Sequence, residues 1–449
     1  MKSLNFISCT RFPGYALLFL SAVYPMVSSL LLFKATLLSV IVVTVCILTF
    51  TTLQLGLHSS VVIWTVSLSA LGFVFVMEGL LAGMPGASAQ IGVYTIWPIL
   101  YLLMIAGIRS EETLVGLTRT LVISTSFVAF FSVVYMLIAT SVLPENRYFD
   151  LVSFNWESQM ISLHEGYISM QYPGLNSLPF LVPFSLAVLV TCSGRRRQTL
   201  ISPVWAWIAL GAGLEAVLLS GRRALLLVTM LSPLGILVFS RFQPAAEKHL
   251  HRKGLFRIAT TGILALIVSM FCLNALSGIS VSGLYERVSV GFDFTPSTDD
   301  NGANERRKQF HALVAGWMEN PIFGAGHGSP AYGSVRSALQ PWSYELSYMA
   351  LLYQTGIVGV VAYASGICWI FWMGIRVIRA GGRLSALMLA CLTGMSSMLI
   401  ANATNPYMDY FDGMWVIFFP LAVINFSLLR SRAFKQVTSL RDLTLLSCH

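Results

Sequence analysis

The sequence predicts an all-α polytopic membrane protein, and three observations carry that prediction. Of 449 residues, 56% are hydrophobic and only 10% charged, with a mean hydropathy of +0.75, where a soluble domain carries about 25% charged residues. Separate apolar runs of roughly 20 residues, long enough to cross a hydrocarbon core, recur along the chain. Helices are the structures that satisfy the backbone in lipid without closing a barrel. The composition excludes a water-soluble domain, a disordered tail and a nucleic-acid binder.

Twelve spans are expected, at about 14–33, 36–55, 61–81, 92–108, 118–139, 176–193, 202–219, 224–240, 258–278, 345–373, 385–403 and 411–429. The first follows Lys2 and Arg11 and is too long and too poorly ended for a cleaved signal peptide, so it reads as a retained span. With the N-terminus in the cytoplasm, inside segments hold nineteen of the 28 basic residues, as the positive-inside rule requires. Both termini are then cytoplasmic. The net charge of +9 follows largely from this loading. Residues 1–449 read as a single integral membrane domain with two long outside loops, 140–175 and 279–344. No repeat of roughly 20–50 residues is visible. Seven cysteines are scattered outside those loops, which argues against an extracellular disulfide framework, and no Cys/His spacing suggests zinc.

Nine basic residues oppose the topology rule: Lys34, Arg147, Arg222, Arg223, Arg287, Arg306, Arg307, Lys308 and Arg336. A bound anion is one reason for them. Ser220-Gly221-Arg222-Arg223 sits in a tight outside turn; the two arginines either snorkel to lipid phosphates or form a fixed guanidinium pair for phosphate. Glu215, on the same helical face, is placed to hold one of them. In the second long loop, Phe310, Leu313, Val314, Trp317 and Met318 share one helical face, and Asn320-Pro321 ends the helix. This amphipathic helix is expected to lie flat on the membrane or on the protein. Glu305-Arg306-Arg307-Lys308 opens it, and cations in a first turn oppose the helix dipole. An anionic ligand would gain from both the charges and the free amides; anionic lipid is the plainer partner. Gly324-Ala325-Gly326-His327-Gly328 reads as a flexible turn, since no strand precedes it to make a dinucleotide fingerprint, and His327 reads as a loop histidine.

Glu345 stands where this loop re-enters the membrane. A carboxylate there is costly unless used or paired, and desolvation would suit it to general-base work; complementing the helix dipole is the alternative. Glu78, near the outer end of the third span, and Asp409, Tyr410 and Asp412 beside Asn405 and Tyr407 either bind sugar hydroxyls or are wet loop residues. Trp156, Tyr167 and Tyr172 suit sugar stacking or an interfacial aromatic belt.

Three stretches together resemble one family. Ser220-Gly221-Arg222-Arg223-Ala224-Leu225-Leu226, Arg306 through Asn320-Pro321-Ile322-Phe323-Gly324-Ala325-Gly326, and Glu345 through Tyr348 to Gln354-Thr355-Gly356-Ile357-Val358-Gly359 are similar to segments of the O-antigen ligase and polymerase family, most of all the Wzy-type O-antigen polymerases. Tyr172-Pro173-Gly174-Leu175-Asn176 resembles that family's entry to the sixth span. The likeness covers the second half of the chain; the first five spans match only as a hydropathy profile. Eleven residues before Gly356, where the ligases carry a catalytic histidine, this chain has Glu345, followed by Leu346 in place of asparagine. That departure favours a polymerase over a ligase.

The resemblance implies a glycosyltransferase C-like helical architecture in a bacterial inner membrane, with its site on the periplasmic face. Donor and acceptor would both be glycans on undecaprenyl pyrophosphate, with membrane lipids around them and a chain-length regulator as a further partner. On this reading Glu345 is the base, Arg222, Arg223, Arg306 and Arg307 bind pyrophosphate, and Tyr344, Tyr348, Asp409, Tyr410 and His327 contact glycan. No cofactor and no metal are expected, because arginines can neutralise the leaving anion. Two other readings stand beside it: a ligase that transfers the glycan to lipid A core, and a transporter or flippase of lipid-linked oligosaccharides. A transporter would place its charges near the midplane, on broken helices and internal repeats.

Overall fold

The computed structural model describes residues 2–25, 27–52, 56–144, 161–164, 167–170, 173–192, 200–245, 301–333 and 340–446, with isolated helical positions between 254 and 275. Ten helices among the described residues are long and apolar enough to cross a membrane, and the apolar part of the first helix, Arg11–Val23, is shorter. In order they are α1 (Lys2–Val23), α2 (Leu31–Thr52), α3 (Ser59–Leu81), α4 (Ala87–Ile91) running through a π turn into α5 (Trp97–Ala106), α6 (Glu111–Ala139), α7 (Leu178–Cys192), α8 (Pro203–Ser220), α9 (Arg223–Ser240), α10 (Asn301–Glu319), α11 (Ser347–Arg379), α12 (Gly382–Asn402) and α13 (Trp415–Leu446). The ten membrane-length helices are these without α1 and α10, with the Pro173–Ser177 turn joined to α7 and α4 to α5. The expected span 258–278 lies outside the described residues except for isolated positions.

One boundary differs from expectation. The first helix ends at Val23 and the second begins at Leu31, rather than parting near 34–35, because Pro25 disfavours helix at the residue before it. Lys34 therefore sits inside α2, one turn from its start, and not in an outside turn. The first long loop is not free of strand: Ile161–His164 pairs antiparallel with Tyr167–Met170. Trp156 and Tyr172 lie outside the described residues.

The core is built on α7 and α12. Every residue of α7 is buried, so it reads as apolar all round, as a helix at the centre of a bundle must. Gly394 of α12 lets α7 approach so closely that a Cβ there would meet the Phe180 carbonyl at 3.0 Å; small residues serve this purpose where no hydrophobic effect drives helices together. Thr125 of α6 and Ser185 of α7 share a buried hydroxyl hydrogen bond of 3.2 Å. The outward faces of α2, α3, α8 and α9 expose Leu32, Phe50, Ile63, Val204, Trp205 and Met230, the surface lipid would cover.

The two ends of the bundle differ. One end gathers Arg11, which meets Ser110 and Glu112, and Arg383 and Arg430, which meet Glu111. The other end carries the turns at 24–25, 27–30, 82–86, 221–222 and 403–414, and the connecting residues 320–333 and 340–346.

Candidate functional site

The site begins with a break in a helix. Inside α11, Gly356 has φ 60 and ψ −168, a backbone that only glycine adopts readily. The segment Pro321–Gly326 docks into that break. The Ile357 and Val358 amides donate to the carbonyls of Pro321 (3.0 Å) and Ile322 (3.1 Å), and the Ala325 and Gly326 amides donate to those of Tyr353 (3.0 Å) and Gln354 (2.9 Å). Carbonyls and amides freed by the break are thereby paired, which an apolar surrounding demands. Two of the stretches singled out in the sequence are thus stitched together.

The glycine run is not a flexible turn. Gly324, Gly326 and Gly328 all have positive φ (81, 83 and 83), and each lies against backbone: of α11 at Gln354–Gly356, of α3 at Glu78–Gly79, and of Gly86–Ala87 respectively. The Gly86 amide donates to the Gly328 carbonyl at 3.1 Å, and the His327 amide to the Phe75 carbonyl at 3.0 Å. His327 is fully buried, stacked on Tyr94 with ring centroids 3.8 Å apart, and its Nδ1 lies 3.1 Å from Gln354 Oε1. Burial pushes its imidazole down to about 4. A neutral ring packed on every side is not placed to contact a glycan, so the expectation for His327 is corrected.

The chain then returns to Glu345. Just before it, the Tyr344 hydroxyl donates to the Ser329 carbonyl (3.0 Å) and accepts from the Ala331 amide. Tyr344 is buried, which raises its phenol; it is a strut under the loop, and its expected role in glycan contact is also corrected. The Glu345 amide donates to Gln309 Oε1 at 2.9 Å, from a Gln309 buried on α10. One turn earlier on the same helix face, Arg306 Nε lies 2.7 Å from Glu345 Oε2. That nitrogen makes no hydrogen bond, because its N–H does not point at the oxygen. The pair stays partly open, with side chains 38% and 21% exposed.

The helix that carries Arg306 starts earlier than the sequence suggested. α10 begins at Asn301, so Arg306 to Lys308 occupy its second turn, beyond the free first-turn amides that an anion would use. Its apolar face packs on the protein through buried Leu313, with Gly316 against the Tyr353 ring, while Phe310 and Met318 stay exposed. Lys308 pairs with Glu305 at 2.9 Å, and Arg307 is exposed.

Arg222 belongs to a second cluster. Gly221 ends α8 in the left-handed conformation, the Arg222 amide donates to Ser220 Oγ at 3.2 Å, and its guanidinium donates to Asn176 Oδ1 at 2.6 Å. The fourth stretch of the family likeness thus meets the first. Arg223 opens α9 and is exposed.

The topology-breaking Lys34 has a cause inside the protein. Its Nζ donates to Asp412 Oδ2 (2.7 Å) and to the Tyr24 carbonyl (2.6 Å), with lysine and aspartate 2% and 1% exposed. Asp412 is therefore neither a wet loop residue nor a sugar ligand. Asp409, three residues earlier, is different: half-buried, it makes no hydrogen bond and no ion pair among the described residues, and burial raises its carboxyl to about 6. Tyr348 is half exposed and donates to the Leu399 carbonyl at 2.6 Å. Tyr410 and Glu78 are half-buried at the same end.

Sequence reasoning passed over Gln309, Tyr94 and Ser329, and quoted Gln354 without a role; their side chains or carbonyls hold the site residues in place. The one available signal was Gln309, a polar residue three positions after Arg306 and so on the same helix face. No protein-family model matches this chain, and no curated protein matches it by sequence.

Proposed function

We propose that the protein is a metal-independent membrane glycosyltransferase that polymerises a surface polysaccharide, of the O-antigen polymerase kind, with a glycosyltransferase C-like arrangement and its loop-bearing end in the periplasm of a bacterial inner membrane. The observation that carries this reading is a carboxylate, Glu345, fixed through its backbone by Gln309 and set 2.7 Å from the guanidinium of Arg306. Base and anion-binding cation then stand side by side at the end of the bundle where a lipid-linked substrate would present its headgroup.

On this reading Glu345 accepts the proton of an acceptor sugar hydroxyl. The oxygen attacks the donor's anomeric carbon, and the bond from that carbon to the phosphate oxygen breaks. Undecaprenyl pyrophosphate leaves with the electron pair, and Arg306, Arg307, Arg222 and Arg223 neutralise its charge. Arginine suits this role because it stays charged and offers a fork of donors. Asp409 and Tyr348 offer a half-buried acceptor and a ring edge to glycan hydroxyls.

The broken α11 favours a second reading, since transporters bind substrates at the ends of half-helices. The four hydrogen bonds from Pro321–Gly326 weigh against it, because they occupy the groups at the break that a transported ion or headgroup would use. The test is a gel of surface polysaccharide from cells making Glu345→Gln at matched protein level. Collapse of the long ladder to core bearing one repeat unit supports the polymerase. Loss of all repeats from the core, with lipid-linked polymer accumulating, points to the ligase. An unchanged ladder removes Glu345 from the chemistry.

A further inference from the structure

We infer that the connection from α10 to the Gly356 break is a membrane anchor: Met318, Ile322 and Phe323 reach into the hydrocarbon edge of the leaflet at the loop-bearing end, and phospholipid acyl chains cover them. This concerns where the connection sits, whatever reaction the site performs. The first observation is exposure. Met318 is 67% exposed, and Ile322 and Phe323 are each 58% exposed. Large apolar side chains bunched in this way mark a contact with a partner or a membrane. Trp317 stands beside them and donates its indole N–H to the Pro321 carbonyl at 3.1 Å, so its polar edge is satisfied, and tryptophan is the residue enriched where lipid meets water. Phe310, Val314 and Met318 follow at four-residue steps along one face of α10, and that face leads to the tip.

The second observation fixes the depth. The Pro321 and Ile322 carbonyls accept from the Ile357 and Val358 amides at 3.0 and 3.1 Å, so the tip lies level with that point of α11. From there α11 runs without a further break to Arg376 and Arg379 in its last turn. The rise from Val358 to Arg376 is about 27 Å at about 1.5 Å per residue, close to a hydrocarbon thickness of about 30 Å. Arg376 marks the opposite boundary: its guanidinium lies 3.8 Å over the Trp372 ring, a cation and an aromatic paired as they are where a helix leaves the lipid. One edge of the hydrocarbon at Arg376 therefore puts the other at Ile322. The third observation is continuity. Ile357, Val358, Val361 and Trp372 are exposed along α11, the stripe that lipid covers, and Ile322 and Phe323 extend it at its upper edge. The lipid that covers α11 thus covers the tip as well. The segment that fills the Gly356 break is thereby held from the lipid side too, and the C-terminal end of α10 is tethered to the leaflet.

The experiment is photo-crosslinking of the full-length protein in nanodiscs of phosphatidylethanolamine and phosphatidylglycerol, with one copy to a disc. Benzoylphenylalanine is placed, in separate variants, at Met318 and at Phe323. It is also placed at Val361 as the lipid-facing reference and at Glu305, exposed on a different face of α10, as the aqueous reference. Intact mass reads the adduct, and a melting curve shows that each variant is folded. The anchor predicts adducts heavier by one phospholipid at 318 and 323, with yields like that at Val361 and about tenfold or more above Glu305, the bias expected when one large apolar side chain prefers lipid to water. Yields at 318 and 323 no higher than at Glu305 place the tip in water and overturn the anchor. Adducts to peptide in place of lipid, from this chain or from another protein, overturn it as well, because the face is then covered by protein. Should the variant at 323 fail to fold, position 318 decides alone, since a side chain as exposed as Met318 leaves room for a larger one.

Discussion

Two ion pairs at the loop-bearing end share a separation of 2.7 Å and little else. Lys34 and Asp412 are almost completely enclosed; Arg306 and Glu345 are partly open. Lys34 also donates to the Tyr24 carbonyl, and Asp412 lies 3.4 Å from Ser21 Oγ, so each charge has further support. Arg306 has its contact with Glu345 but an unaligned N–H. An enclosed pair cannot be exchanged without stranding a charge in a low-dielectric surrounding, whereas an open one trades partners at little cost. The same two kinds of residue thus make an enclosed lock in one place and a surface-accessible contact in the other.

The largest expected effect comes from breaking the lock on one side. Lys34→Met or Asp412→Asn should cost about 3–5 kcal/mol, because the remaining charge is left buried without its counter-charge. The double change Lys34→Met with Asp412→Leu should recover much of that loss. Melting curves of the purified protein check this, and single variants that melt with wild type would refute the lock. A second effect tests the rest of the pinned connection. His327 has a folded value of about 4 against its usual 6.5, so the stability of its neutral form is fully present above pH 6.5 and is lost as the pH falls through about 4. The loss should approach about 3 kcal/mol, and the slope of stability against pH in that window should flatten in His327→Asn.

Asp409 and Asp412 sharpen the contrast within one turn. The folded value of Asp409, about 6, lies above its usual 3.8. Stability tied to its protonated form is complete below pH 3.8 and is lost as the pH rises through about 6. Asp409→Asn should therefore stabilise the protein at pH 8 by about 1–2 kcal/mol, after discounting for partial exposure, where Asp412→Asn destabilises it. Equal signs at the two positions would erase the distinction. The smallest stability effect belongs to the open pair: Arg306→Gln should shift folding by less than about 1 kcal/mol while abolishing the long polysaccharide ladder. A large melting shift from that change would make Arg306 another structural charge.

Much of the fold was legible, because hydropathy over a span's length is a strong signal and nearly every long helix falls where an apolar run lies. The break between Val23 and Leu31 was missed although Pro25 is plainly visible, since an apolar run on both sides hid it. Within the site, Glu345, Arg306 and Arg222 stood out as polar residues in costly places. Their partners did not. Gln309 and Asn176 are ordinary residues whose importance comes from contacts across 36 and 46 positions of chain. Lys34 and Asp412 were each conspicuous, but 378 positions separate them, and nothing local says that one anomaly cancels the other. The glycine run was misjudged because glycine permits flexibility and close packing alike; only the neighbouring backbones decide which.

The break at Gly356 also has a consequence for biogenesis. An uninterrupted α11 of 33 residues would be about 50 Å long, well beyond a hydrocarbon layer of about 30 Å. The segment that fills its break, Pro321–Gly326, leaves the ribosome before α11 does. Its four hydrogen bonds to α11 cannot form until the later helix is in place and open at its glycine. Insertion at this point is therefore a two-body event, with the earlier segment acting as a template that arrives ahead of its target. A chain in which α11 failed to open at Gly356 would leave the Pro321–Gly326 stretch without these four backbone partners.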